Sequence, residues 1–182
     1  MKKAIIIHGW EETSQGQWLP WLGEQLREKG YVVEIPQMPH TKNPKLNEWM
    51  EMLESFSPDK NTLLIGHSLA NALILKYIAK ANTRIKGAVM VVVWDWLFQD
   101  VKEFHETFFE NGFDYEAIKK NNTPTVIVNS TTDPWIDFER AKKLANKIDA
   151  TFIAIEKAGH FMVRDGYAQF PKLVEIIENK FT

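Results

Sequence analysis

A chain of 182 residues, 45% apolar and 25% charged, has the size and composition of one ordinary globular domain spanning residues 1–182. Its 22 basic and 24 acidic side chains leave a net charge of −2 with no block of like sign, so nothing electrostatic points to nucleic acid or an anionic membrane as a partner. The absence of cysteine excludes disulfides, thiolate metal sites and a cysteine nucleophile.

The chain opens on two lysines and the apolar run Ala4–Ile7. That run stops at His8 and Gly9, short of the roughly 7–15 residues of a signal-peptide core. No later stretch approaches the roughly 20 apolar residues of a membrane span, so a cytoplasmic protein is expected. Ala4–His8 reads instead as a first strand. Trp18, Leu19, Leu22 and Leu26 then fall at helical spacing, with Gly30 as the stop. Tyr31–Ile35 is a second strand. Asn43 and Pro44 read as the N-cap and first residue of a helix that buries Leu46, Trp49, Met50 and Leu53. Thr62–His67, Ile85–Trp94, Thr125–Asn129 and Thr151–Glu156 complete six strand candidates. Most are continuous apolar runs, the pattern of strands covered on both faces. Asp133-Pro134 repeats the cap signature ahead of Phe138, Ala141, Leu144 and Ala145, and a last helix carries Phe170, Leu173, Val174, Ile177 and Phe181 on one face. Alternating strands and helices predict an α/β fold: a mainly parallel six-stranded sheet with helices on both faces and no second domain.

Such sheets host many chemistries, so function must be read from particular residues. In Ile65-Gly66-His67-Ser68-Leu69-Ala70 a buried strand turns sharply into a helix. A serine at that turn is forced into a strained conformation that projects its hydroxyl, and small neighbours such as Gly66 are required. Ala70 stands where the G-x-S-x-G pattern has its second glycine. The helix start behind Ser68 offers the Leu69 N–H to an oxyanion. A plain strand end with a serine cap is the bland alternative, and the partners of Ser68 weigh against it.

Those partners follow in the order serine, acid, histidine, each after a different strand. Asp133 follows the fifth strand and His160, in Gly159-His160-Phe161, the sixth. His160 is the candidate base and Asp133 the carboxylate that orients it. Asp95, at the end of the fourth strand, is the competing acid; Asp137 ranks third, a turn inside the predicted helix. His40 and His105 lack a strand-end setting, and His67 is expected to point away from Ser68. His8-Gly9-Trp10 follows the first strand, where a flexible Gly9 would aim the Trp10 N–H at an oxyanion beside that of Leu69. Trp10, Trp18, Trp94, Asp95 and Trp96 are candidate pocket residues. The aromatic segment from Trp94 to Tyr115 is read first as core, otherwise as a pocket cover or dimer surface. No metal site is expected, since no two histidines stand at ligand spacing and no carboxylate cluster frames one.

His8-Gly9-Trp10, Gln17-Trp18-Leu19-Pro20-Trp21-Leu22, Met38-Pro39, Asn43-Pro44, Trp49, Gly66-His67-Ser68-Leu69, Asp133-Pro134 and Gly159-His160-Phe161 together resemble one family. It is the small serine hydrolases typified by bacterial YdeN and retinoblastoma-binding protein nine, and the resemblance runs nearly the whole chain in order. It implies an α/β-hydrolase fold without a large cap, no cofactor, and Ser68, Asp133 and His160 as catalytic triad. Two departures stand out: Ala70, and Trp94-Asp95-Trp96 in place of a small, weakly polar segment. A small-molecule acyl substrate (ester, amide or thioester) is expected, in a monomer or homodimer. An aminopeptidase-like or acyl-transferring enzyme, or a binding module on a silent hydrolase scaffold, remain open alternatives.

Overall fold

The computed structural model describes residues 1–181. Six strands form one sheet: β1 (Lys3–Ile7), β2 (Val32–Glu34), β3 (Thr62–His67), β4 (Gly87–Val91), β5 (Thr125–Ser130) and β6 (Thr151–Ile155). All five pairings are parallel, in the order β2-β1-β3-β4-β5-β6. Seven α-helices lie between and after the strands among the described residues: α1 (Leu19–Glu28), α2 (Leu46–Ser55), α3 (Ala70–Lys80), α4 (Lys102–Phe109), α5 (Tyr115–Asn121), α6 (Phe138–Lys147) and α7 (Pro171–Phe181). None is long and apolar enough to cross a membrane.

β3, β4 and β5 are buried at every residue. Because successive side chains alternate between faces, both faces of the sheet centre are covered. α1 and α7 touch each other, while α2, α4 and α5 gather round α3. The core is unusually aromatic. Trp49 meets Phe108 edge-on at 5.3 Å, and Phe161 stacks on Phe170 at 5.1 Å. Truncating a fully buried ring such as Trp49 to alanine costs about 3–5 kcal/mol. Gly87 is required by the same packing, since the Phe181 ring occupies the space any Cβ would need.

Element boundaries depart from the sequence reading where backbone geometry intervenes. The fourth strand stops at Val91 because Val92 turns into the left-handed region at φ 59°, so Trp94 and Asp95 lie on a loop. α2 starts at Leu46, with extended Lys45 before it; no Asn43 side chain caps it. The Thr107 hydroxyl accepts the free N–H of Leu46 instead, tying α2 to α4. α6 is capped by Asp137, whose carboxylate accepts the N–H of Arg140 at 2.7 Å. Asp133 is therefore not the cap of this helix, and Asp137 is not inside it. Gly30 does end α1: at φ 83° its N–H returns to the Arg27 carbonyl.

A candidate active site at the carboxyl edge of the sheet

The strand order reverses direction of travel between β1 and β3, which leaves a crevice at their carboxyl ends, the usual ligand position in such sheets. Ser68 stands there, directly after β3. It is held at φ 57°, a conformation costly for a residue with a side chain, and its N–H is anchored to the Val91 carbonyl at 3.0 Å. The turn closes only because Gly66 has no Cβ; one there would collide with the Asn71 carboxamide. Asn71 cannot retreat, since its amide donates to both Val91 and Val92 carbonyls, at 2.7 and 2.8 Å.

His160 Nε2 lies 3.1 Å from Ser68 Oγ, and His160 Nδ1 lies 2.7 Å from Asp133 Oδ2. The ionised carboxylate only accepts, so Nδ1 carries the proton and Nε2 presents its lone pair to the serine hydroxyl. The other oxygen of Asp133 accepts the N–H groups of Trp135 and Ile136, at 2.9 and 3.0 Å. One oxygen thus shapes the loop and the other orients the imidazole. The two loops are stitched together by Ser130, whose hydroxyl accepts N–H bonds from Thr132 and from Ala158 across β5 and β6. Asp165 accepts the N–H of His160 itself at 2.9 Å. Burial holds the His160 pKa below the ordinary histidine value, and nearby His67 acts in the same direction against the hydrogen bond to Asp133.

Gly9 does a different job from the one its flexibility suggested. Its φ is not in the left-handed region; it is small because a Cβ would come within 2.9 Å of the Ser68 Cβ. The loop carrying the Trp10 N–H is thereby packed against Ser68. Among the described residues neither Trp10 N–H nor Leu69 N–H has a hydrogen-bond partner, which leaves both donors free for an incoming oxygen.

Ser68 and His160 open into a cavity of about 690 Å³. Trp10, Trp94, Phe98, Val101, His105, Trp135, Ile136 and Met162 give it a largely apolar wall; Glu11, Asp100, Gln17 and Arg164 add polar groups. Three of the expected pocket residues lie elsewhere. Trp18 is fully buried behind the site, edge-on to His67 and Phe170. Trp96 is covered by the Arg140 guanidinium, 3.8 Å from its ring centre. Asp95 accepts from the Tyr115 hydroxyl at 2.6 Å and pairs with Lys147 at 2.9 Å, away from His160. The aromatic segment divides its labour: Trp94, Phe98 and His105 wall the cavity, while Phe108 and Phe109 join the core.

Other site residues had no readable sequence signal. Trp135, half exposed, sets its ring edge-on to His160 at 4.7 Å. His105 lines the cavity edge-on to Trp10 at 4.5 Å, and burial lowers its pKa to about 4. His67, next to Ser68 in the chain, turns its ring to Glu12 and the His160 carbonyl. Among the described residues no group of histidines and carboxylates is placed to hold a metal ion.

Residues 4–179 match the model of the serine hydrolase family. The chain belongs to that family. It is 27% identical to YdeN of Bacillus subtilis over 184 residues, covering all of this chain and 97% of that one. The crystal structure of the ydeN gene product superposes with a TM-score of 0.91 at 26% identity, over all of this chain and 99% of the other. Serine hydrolase RBBP9 of Rattus norvegicus is 23% identical, with 99% and 96% of the two chains aligned. The esterase domain of a Rhodothermus marinus protein shares the fold, with a TM-score of 0.68 at 16% identity over all of this chain and 88% of that domain. The molecule is a hydrolase with the α/β-hydrolase fold.

Proposed function

We propose that the protein cleaves small esters, amides or thioesters through an acyl-serine intermediate. The observation that carries this reading is the hydrogen-bonded line Asp133–His160–Ser68 opening into an apolar cavity. His160 Nε2 takes the proton of Ser68 as Oγ attacks the substrate carbonyl carbon, and Asp133 stabilises the imidazolium that results. The carbonyl oxygen becomes an oxyanion, which the free N–H groups of Trp10 and Leu69 stabilise by hydrogen bonds. Collapse of the adduct breaks the bond to the leaving group, which takes the proton from His160. Water, deprotonated by the same imidazole, then attacks the acyl-serine, and Ser68 recovers its proton. The apolar wall accepts the acyl group, which supports carboxylesterase-like specificity.

A fluorophosphonate probe tests the reading. It labels one equivalent of Ser68, and Ser68→Ala removes both labelling and ester hydrolysis while the circular dichroism spectrum stays unchanged. Labelling at Ser14 or Ser130 would refute the assignment.

A further inference from the structure

The proposed mechanism leaves one buried ionisable pair beside the site without a role. Glu12 Oε2 accepts the N–H of Gly9 at 2.8 Å and lies 3.0 Å from His67 Nδ1. On the other side of the same ring, His67 Nε2 lies 2.9 Å from the backbone carbonyl oxygen of His160. The His67 side chain is fully buried, and only 9% of the Glu12 side chain is exposed. A carboxylate and a carbonyl have no proton to give. A neutral imidazole would turn a lone pair toward one of them, in a place where water cannot intervene. With Glu12 ionised, which suits an oxygen already accepting from Gly9, both ring nitrogens of His67 must be protonated.

His8 shows that this is not a general habit of buried histidines here. Its Nδ1 faces the Gly9 carbonyl at 2.8 Å, but its Nε2 accepts the Met38 N–H at 3.0 Å. That nitrogen cannot carry a proton, so His8 is neutral. The ring of His67 is 5.3 Å from that of His160, and its cation stands between His160 and the Glu12 carboxylate.

We propose that Glu12 and His67 are positioning residues: together they hold a permanent imidazolium against the backbone of His160, which keeps the His160 ring in its neutral, base-competent form. The inference rests on His160 being the general base. The other charged or titratable groups around His160 are Asp133 at Nδ1, Asp165 at its backbone N–H, Ser68 at Nε2 and Arg164 on the cavity wall. Asp133 favours a protonated His160, and so, more weakly, does the Glu12 carboxylate beyond the His67 ring. His67 is the buried cation that opposes them, with Arg164 at the cavity surface. The directions of the pKa shifts agree: burial, the largest influence, would lower that of His67, yet Glu12, the His160 carbonyl and Asp133 together outweigh it and the net shift is upward. Glu12 shifts down against its own desolvation because His67 favours its charge. The same carboxylate oxygen also accepts from Gly9, so the loop bearing the Trp10 N–H is linked to the loop bearing His160 through Glu12 and the His67 ring.

Two measurements test this. In protein carrying 15N-labelled histidine, His67 should show both ring nitrogens in the imidazolium range near pH 8, while His160 is neutral. A neutral His67 there would overturn the proposal, whatever the enzyme's activity. The second is the pH profile of Glu12→Gln, whose amide oxygen can still accept from Gly9 while the charge is gone. Loss of the carboxylate lets His67 deprotonate; losing that nearer cation outweighs losing the direct pull of Glu12, so the proton affinity of His160 rises. The acid limb of kcat/KM for an acetyl ester then moves to higher pH. The ratio of activity at about pH 5.5 to that at about pH 8 falls roughly threefold or more. An unmoved limb with a lower plateau would reduce the pair to a structural brace and sink the proposal. If the variant does not fold, the wild-type spectrum alone decides. Absent labelling of Ser68 would instead refute the hydrolytic reading, and leave the charge state of His67 to stand or fall separately.

Discussion

The elbow around Ser68 and the aromatic wall of the same cavity are built by opposite means. At the elbow, position is fixed by exclusion and direction: a left-handed φ, two glycines that admit no Cβ, and hydrogen bonds that hold Asn71, Asp133 and His160 each at a set angle. The wall is held by ring contacts. Trp94 stacks on Phe109 and tilts against Phe98 at 5.7 Å, and Trp10 stacks on Phe104 at 5.5 Å. Ring packing is worth about 0.5–1.5 kcal/mol per pair beyond burial and tolerates small rotations; a donor–acceptor line does not. Chemistry is therefore the stiff part of this site, and substrate fit the adjustable part.

That contrast breaks if the two regions respond alike to substitution. Asp133→Asn should give the largest effect, a fall in kcat of roughly 10³–10⁴ with KM little changed, because the wrong imidazole tautomer faces Ser68. Steady-state kinetics on an activated ester reads this, and a fall below tenfold would mean another group orients His160. The wall should respond by degrees. Along a series of straight-chain acyl esters, kcat/KM should climb about fourfold per methylene while each is buried, at about 0.8 kcal/mol apiece, and then level off. Phe98→Ala should move that levelling point to longer chains without abolishing the plateau. Activity that climbs without a break to dodecanoyl esters would show that the wall does not bound the acyl site. Asp95→Asn should matter least, less than about threefold in kcat, since its carboxylate is occupied by Tyr115 and Lys147. A larger loss would make Asp95 the acid, and the hydrogen bond between Asp133 and His160 incidental.

The same contrast explains what could be read from the sequence. A strand-turn-helix at Gly66-His67-Ser68, and an acid and histidine after later strands, are local patterns in a fixed order. They were legible because backbone geometry restricts the residues allowed there. The parallel sheet was legible from its buried apolar runs. Trp18 misled because helical spacing says that a residue is covered, not by which neighbour; at the start of α1 it meets His67 and Phe170, not the cavity. Glu12 left no trace, since it is one of two adjacent glutamates and gains its meaning only when β1 and β3 pair. Gly9 was singled out correctly as a turn residue, but for its freedom of rotation and not for the closeness of Ser68 that requires it.

The strand order has a consequence for how the molecule comes into being. β1 is flanked by β2 and β3, and the residues around Ser68 come from the ends of β1, β3, β5 and β6. Every one of those pairings joins distant parts of the chain, and such non-local parallel contacts form slowly and late. No continuous fragment holds the site, so a nascent or half-folded chain can be rich in helix and still be inert. The line of Asp133, His160 and Ser68 exists only in the finished sheet.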